Sequence, residues 1–254
     1  MKLSNNQVKY IRSLGQSKFR QKYENFVAEG DKSVVALLQS DFEIESLVGL
    51  PQWFEKNAHY IKSHNSKVLL ASEEQMQQVS SLVNAPDILA IVHQKWAKVK
   101  DLLKTEKPLF FLDGVQDPGN VGTIIRVADW FGFGGVILGS GTADVYHPKV
   151  VQATMGSITA FGIARSEIKE ILESGELENI RVLDMEGQFL DQASLPKSGL
   201  FVLGSEGRGV SRDWLEAIPP QHRITIQGSR NKMAESLNVG VAAGIVAQQV
   251  MIRG

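Results

Sequence analysis

The 254-residue chain contains no cysteine. That absence excludes disulfides, thiolate metal sites and a cysteine nucleophile, and it fits a reducing compartment. No stretch approaches the ~18 to 20 consecutive apolar residues that a membrane helix needs. The opening "MKLSNNQVKY" lacks the apolar core of a secretory signal, so a cytoplasmic protein is expected. Neither charge is in excess: 27 Lys and Arg stand against 28 Asp and Glu, a formal net charge of −1. His59, His64, His93, His147 and His222 show no ligand spacing, and no metal is expected. Nucleotide motifs are missing as well. "GFGGVILGSG" does not give G-x-G-x-x-G between a strand and a helix, and "GSEGRG" carries its glycines in another order. There is no G-x-x-x-x-G-K-[ST], so an NAD-linked or phosphate-cradle function lacks its glycines.

What is present is ample core material, 43% hydrophobic residues, enough for two modest domains or one large one. The charge is unevenly spread. From Met1 to Lys22 stand Lys2, Lys9, Arg12, Lys18, Arg20 and Lys22, with no acid among them. Such a block suits either phosphates or a solvated helix surface. The first hundred residues alternate helical runs ("NNQVKYIRSL", "SVVALLQ") with strand candidates ("IESLVGL", "KVLLAS", "DILAIVHQ"). The lysine-rich "KWAKVKDLLKTEK" before Pro108 reads as a linker with a helical part. The expected division is therefore 1–95, a linker over 96–107, and 108–254.

Beyond Pro108 the pattern is strand, turn, helix, repeated. "LFFLDGV", "GGVILGS", "IRVLDME", "GLFVLGSEGRG" and "HRITIQG" are nearly continuous apolar runs, which points to a parallel sheet covered on both faces. Ligands of such sheets bind where the strands' carboxyl ends meet their loops. Three loops lie there: 113–120, 204–211 and 227–236. In the first, Pro118 and Gly119 break the chain, and Asn120 is placed to cap the helix bearing Val121, Ile124, Ile125, Ala128 and Phe131. Arg126 on that helix leans back over Thr123 and Gly122, with a clear path toward the loop. Pairing with Asp129 on a solvated surface is its alternative role. In the second loop Glu206 faces either a ligand or water from a glycine turn. In the third, Ser236 is the expected cap and Asn238 sits in the first turn of a helix rich in Gly and Ala. That composition suits a crowded core or a subunit interface.

Taken together, "DGVQDPGNVGTIIRVADWFGFGGVIL", "LFVLGSEGRGVS", and "ITIQG" followed by "AESLNVGVAAGI" resemble the SpoU (TrmH) family of RNA ribose 2′-O-methyltransferases, in the SPOUT superfamily. "YHPKVVQATMGSI" resembles the family too. "VKYIRSLGQSKFRQKYENFVAEG" is similar to the small RNA substrate-binding domain ahead of many such enzymes. The resemblance implies a small α/β RNA-binding domain followed by an α/β knot: a mainly parallel sheet whose C-terminal segment forms a deep trefoil knot. It implies S-adenosylmethionine bent within the knot, against Leu203, Gly204, Ile224, Ile226, Ser236 and Leu237. It implies a homodimer with the C-terminal helix at the interface. Asn120, Arg126, Glu206, Ser236 and Asn238 would surround the reacting hydroxyl. The family's proposed base is the arginine, but a guanidinium keeps its proton in a protein, which makes Arg126 a phosphate holder and charge stabiliser instead. Lys9, Arg12, Lys18, Arg20 and Lys22 then become expected RNA contacts. Ribosomal RNA is the expected substrate; a tRNA methyltransferase and a non-catalytic RNA-binding assembly factor are the alternatives. Three departures from the family pattern stand out: Gln152 in place of the usual arginine, Gly240 in place of serine or alanine, and a longer loop that adds Arg230 and Lys232.

Overall fold

A computed structural model describes residues 1–61, 64, 66–175, 177–229 and 233–253, which divide into two compact units. Unit 1 joins Met1–Lys95 to Asp144–Ala160, and unit 2 takes Trp96–Ala143 and the chain from Phe161 onward. In chain order the elements begin with α1 (Asn5–Ser13), α2 (Ser17–Tyr23), β1 (Asn25–Glu29), α3 (Asp31–Leu38), β2 (Ile44–Gly49), α4 (Pro51–Lys56), α5 (Ala58–Ile61) and β3 (Lys67–Leu70). They continue with α6 (Glu73–Val79), β4 (Ile88–His93), α7 (Val99–Leu103), β5 (Leu109–Asp113), α8 (Pro118–Trp130), β6 (Gly135–Leu138) and α9 (Pro148–Thr154). The last are β7 (Gly162–Arg165), α10 (Ile168–Glu173), β8 (Ile180–Phe189), β9 (Leu200–Gly204), α11 (Arg212–Ala217), β10 (Arg223–Thr225) and α12 (Val239–Arg253).

Unit 1 is built on a sheet of order β1-β4-β2-β3, antiparallel except for the β2–β3 pair. Helix α1 starts in a capping box: the Ser4 hydroxyl accepts the Gln7 N–H while the Gln7 side chain accepts the Ser4 N–H. Its Val8 and Ile11, with Leu14, enter a core of Leu69, Met76, Val79 and Leu89. Segment 144–160 completes this unit. Buried Tyr146 stacks on Phe26, 4.6 Å between centroids, and its hydroxyl accepts the Lys95 N–H at 2.8 Å and donates to the Lys95 carbonyl at 2.5 Å.

Arg20, expected on an RNA-facing surface, is 1% exposed. Its Nε and Nη2 donate to Asp144 at 2.9 and 2.7 Å, and its Nη1 donates to the Leu14 carbonyl at 2.9 Å. A guanidinium committed in this way is unavailable to a phosphate. Arg20 is a structural ion pair, and the expectation for it is corrected.

In unit 2 the sheet order is β10-β8-β9-β5-β6-β7, every pair parallel, as the apolar runs predict. Leu109, Phe111, Ile137, Leu200, Val202 and Trp214 form part of its core. Two features differ from the expected division. The helical part of 96–107 is α7, which buries Val99 and Leu102 in this core, so the segment packs with unit 2. The family stretch "YHPKVVQATMGSI" lies within Asp144–Ala160, between β6 and β7 in sequence, and belongs to unit 1. Along β5 and β9 the register pairs Asp113 with Gly204, so their carboxyl ends and following loops open at the same edge.

Candidate active site

Pro118 opens α8 with its φ already suited to a helix, which makes the preceding residue the cap. Asp117 therefore takes the role expected of Asn120, its carboxylate accepting the Asn120 N–H at 2.9 Å. The Asn120 side chain is left free for other partners. Its Nδ2 donates to Glu206 Oε1 and its Oδ1 accepts from Asn238 Nδ2 at 2.9 Å. Asn238 Oδ1 in turn accepts the N–H groups of Gly240 and Val241 at 3.0 and 3.2 Å. Asn238, not Ser236, thus caps α12, which begins at Val239. One continuous run of hydrogen bonds links Glu206, Asn120, Asn238 and the first turn of α12. Asn120 thereby joins residues 86 and 118 positions away in sequence, Glu206 from the second loop and Asn238 from the start of α12.

Local sequence shapes each arm of this run. Ser205 and Gly209 exchange backbone hydrogen bonds of 3.0 and 2.9 Å, a tight turn that carries Glu206 at its exposed end. Gly209 sits at φ +67°, where glycine is favoured. Gly204 has no room for a side chain, since a Cβ there would lie 2.2 Å from the Gly209 carbonyl carbon and the Val210 nitrogen. A Cβ at Gly240 would come within 3.0 Å of Thr123 Cγ2, so this departure from the family pattern lets α12 approach α8 closely. Asp113, absent from the sequence-based candidates, is buried at the end of β5 and accepts the Ser211 N–H at 2.6 Å. That bond spans the loop holding Glu206. The signal for it was an acid closing the apolar run "LFFLD".

The remaining candidates fall into place around this centre. Arg126 is exposed on α8, about 9 Å along the helix axis from Asn120, and lies outside the hydrogen-bonded run, as does exposed Ser236. Leu203 and Ile224 bury their side chains in the core and offer their surroundings only backbone groups. Ile226 is half-buried, and Leu237 is 48% exposed beside Asn238. In unit 1, Lys9, Arg12, Lys18 and Lys22 are exposed, and so is Gln152 on α9. Arg230 and Lys232 lie outside the described residues. No described helix is long and apolar enough to cross a membrane.

Residues 107–248 match the SpoU rRNA Methylase family, and residues 5–90 match the MRM3-like substrate binding domain. The 23S rRNA (guanosine(2553)-2′-O)-methyltransferase RlmP of Bacillus subtilis is 29% identical, over 95% of this chain and 94% of the relative. The 23S rRNA (guanosine-2′-O-)-methyltransferase RlmB of Nitrosomonas europaea is 30% identical over 71% of this chain and 72% of its own. A TrmH-family protein of Porphyromonas gingivalis superposes with a TM-score of 0.86 at 34% identity, covering 100% of both chains. An AdoMet-bound rRNA methyltransferase of Sinorhizobium meliloti gives a TM-score of 0.87 at 29% identity, covering 98% of this chain and 95% of its own. Fold, loop geometry and sequence agree: the chain belongs to the SpoU rRNA methylase family.

Proposed function

We propose that this chain transfers the methyl group of S-adenosylmethionine to a ribose 2′-hydroxyl of ribosomal RNA. The observation that carries this reading is the hydrogen-bonded run from Glu206 through Asn120 to Asn238, which assembles a polar centre at the carboxyl end of a parallel sheet. The site suits the cofactor. Exposed Leu237 and half-buried Ile226 offer apolar contacts for an adenine, while Leu203, Gly204 and Ile224 offer backbone groups. When bound, S-adenosylmethionine supplies a methyl carbon activated by a positive sulfur.

The chain's residues orient the nucleophile and manage charge. The Asn120 amide, held between Glu206 and Asn238, fixes the Glu206 carboxylate where it can accept a hydrogen bond from the ribose hydroxyl. Arg126 keeps its proton; it holds the adjacent phosphate and stabilises the charge that develops on the 2′ oxygen. Ser236 completes the wall of the site. Lys9, Arg12, Lys18 and Lys22 contact the RNA backbone from unit 1.

The reading includes a homodimer formed through α12. In support, Val241, Met251 and Ile252 on that helix are exposed, as is Trp130 at the end of α8, which packs against α12. It includes a trefoil knot in the path to α12, supported by a strand order that returns β10 beside β8 rather than β9. It also includes a cytoplasmic location, where ribosomal RNA is reached.

The test is incubation with methyl-labelled S-adenosylmethionine and, in parallel, unmodified ribosomal RNA and tRNA, scoring alkali-resistant dinucleotides. Label in ribosomal RNA alone is expected. Arg126→Ala abolishes nearly all label while cofactor binding survives. Label in tRNA alone overturns the substrate, and equal loss of binding and turnover overturns the role of Arg126.

A further inference from the structure

Helix α2 in unit 1 carries a ladder that interleaves Lys18 and Lys22, two of the proposed backbone contacts, with the aromatic rings of Phe19 and Tyr23, which have no role so far. Phe19 and Tyr23, one turn apart, lie nearly parallel, 6.3 Å between centroids and 10° between planes. Lys18 and Lys22 repeat at the same spacing. The Lys18 Nζ stands 4.9 Å from the Phe19 centroid, and the Lys22 Nζ 5.3 Å from that of Tyr23. Tyr10 meets Tyr23 edge-on at 5.1 Å, and is itself tied through its hydroxyl to Asn25 and Glu45. Tyr23 is nonetheless 40% exposed. A ring braced on two sides, open to solvent and flanked by the Lys22 ammonium, with that of Lys18 one turn back, suits a planar ligand with negative charge beside it.

We propose that α2 is a docking strip for an unpaired segment of RNA, with a base stacked on Tyr23 and neighbouring phosphates on Lys18 and Lys22. The choice of RNA rests on the methyltransferase reading; the choice of an unpaired segment rests on the ladder. Bases inside an A-form duplex are stacked on one another, and its deep major groove closes them to side chains, whereas splayed bases stack on aromatic rings. Such stacking tolerates any base and combines with a basic track along the backbone. Phe19 supports the ring from below, and the two lysines can turn from the ring faces to the phosphates without moving the helix.

The test measures binding of a labelled oligouridylate, and of an RNA duplex of equal length, to the full chain across a salt series. The single strand binds more tightly than the duplex. Tyr23→Ala weakens it about tenfold, and Tyr23→Phe restores binding because the ring makes the contact. Lys22→Ala lowers the slope of log affinity against log salt by about 0.7, the value for one phosphate on a single strand; Tyr23→Ala leaves that slope unchanged. In Tyr23→Trp the new indole fluorescence is quenched as the oligomer binds, which decides the matter alone if Tyr23→Ala does not fold. Wild-type affinity in Tyr23→Ala, an equal loss in Tyr23→Phe, tighter duplex binding, or an unquenched indole each overturns the strip. If the wild type methylates ribosomal RNA under any of those outcomes, only the strip falls. If it methylates no RNA, the reading beneath it falls.

Discussion

Asn238 does two separable things, and substitution can divide them. Its Oδ1 caps α12 through Gly240 and Val241, while its Nδ2 holds Asn120. Asn238→Ala removes both. Loss of an N-cap costs about 1 kcal/mol and loss of a neutral hydrogen bond about 1 kcal/mol. The expected destabilisation of about 2 kcal/mol corresponds to a fall of about 4 to 8 °C in the melting temperature. Asn238→Asp keeps the acceptor that caps the helix but also loses the bond to Asn120; the negative charge at the helix's positive end offsets part of that loss, so the destabilisation is about 1 kcal/mol, half that of Asn238→Ala. Its effect on turnover is different. The Asn120 carbonyl would then face a carboxylate; flipping the amide would instead turn that carbonyl toward Glu206. One contact is repulsive in either orientation. Loss of a hydrogen bond to a charged group, about 1.5 to 3 kcal/mol, slows methyl transfer about 10- to 100-fold. Calorimetry reads the first effect and labelled methyl transfer the second. The reasoning is refuted if Asn238→Asp turns over like the wild type, or if it melts as early as Asn238→Ala.

Three further substitutions probe unit 1. Arg20→Ala removes the buried cation paired with Asp144 and the donor to the Leu14 carbonyl, costing about 3 kcal/mol in urea unfolding. Lys9→Ala, fully on the surface, leaves stability unchanged and weakens RNA binding; an Arg20→Ala protein as stable as the wild type would refute the buried pair. Burial pushes the Tyr10 hydroxyl up to about 12, with Glu45 adding to the shift and the Asn25 amide opposing it. The folded state holds that proton more tightly than the unfolded state. The resulting stability is full below about pH 10 and is lost as the pH climbs toward about 12. Tyr10→Phe flattens this decline in urea midpoints, and an equal decline in both proteins would reject the assignment.

Much of unit 2 was legible because "LFFLD", "GVIL" and "LFVLG" are short apolar runs closed by Gly or an acid, a pattern with few readings other than buried parallel strands. That sheet type also brings the loops after β5 and β9 to one edge. Strands β1 and β7 escaped notice because "NFVAE" and "GIAR" are too brief to show a period. Both caps at the site were misplaced by two or three residues. Asp117 and Asn120 can each cap, as can Ser236 and Asn238, and only Pro118 and the tertiary pull of Glu206 on Asn120 decide between them. Arg20 shows a deeper limit. A run of basic residues looks uniformly solvated in sequence, and the carboxylate that draws one of them inside lies 124 positions away.

The placement of Asp144–Ala160 bears on how such proteins can be recombined. The chain passes between the units at three points, 95/96, 143/144 and 160/161, rather than at one. A gene fragment ending at Lys95 would omit the Tyr146 ring that covers Phe26 and the carboxylate that neutralises Arg20. It is therefore not an independent module. An exchange of N-terminal units between two relatives has to carry the 144–160 excursion along with residues 1–95, so the portion to be shuffled is discontinuous in the gene although it folds as one compact unit.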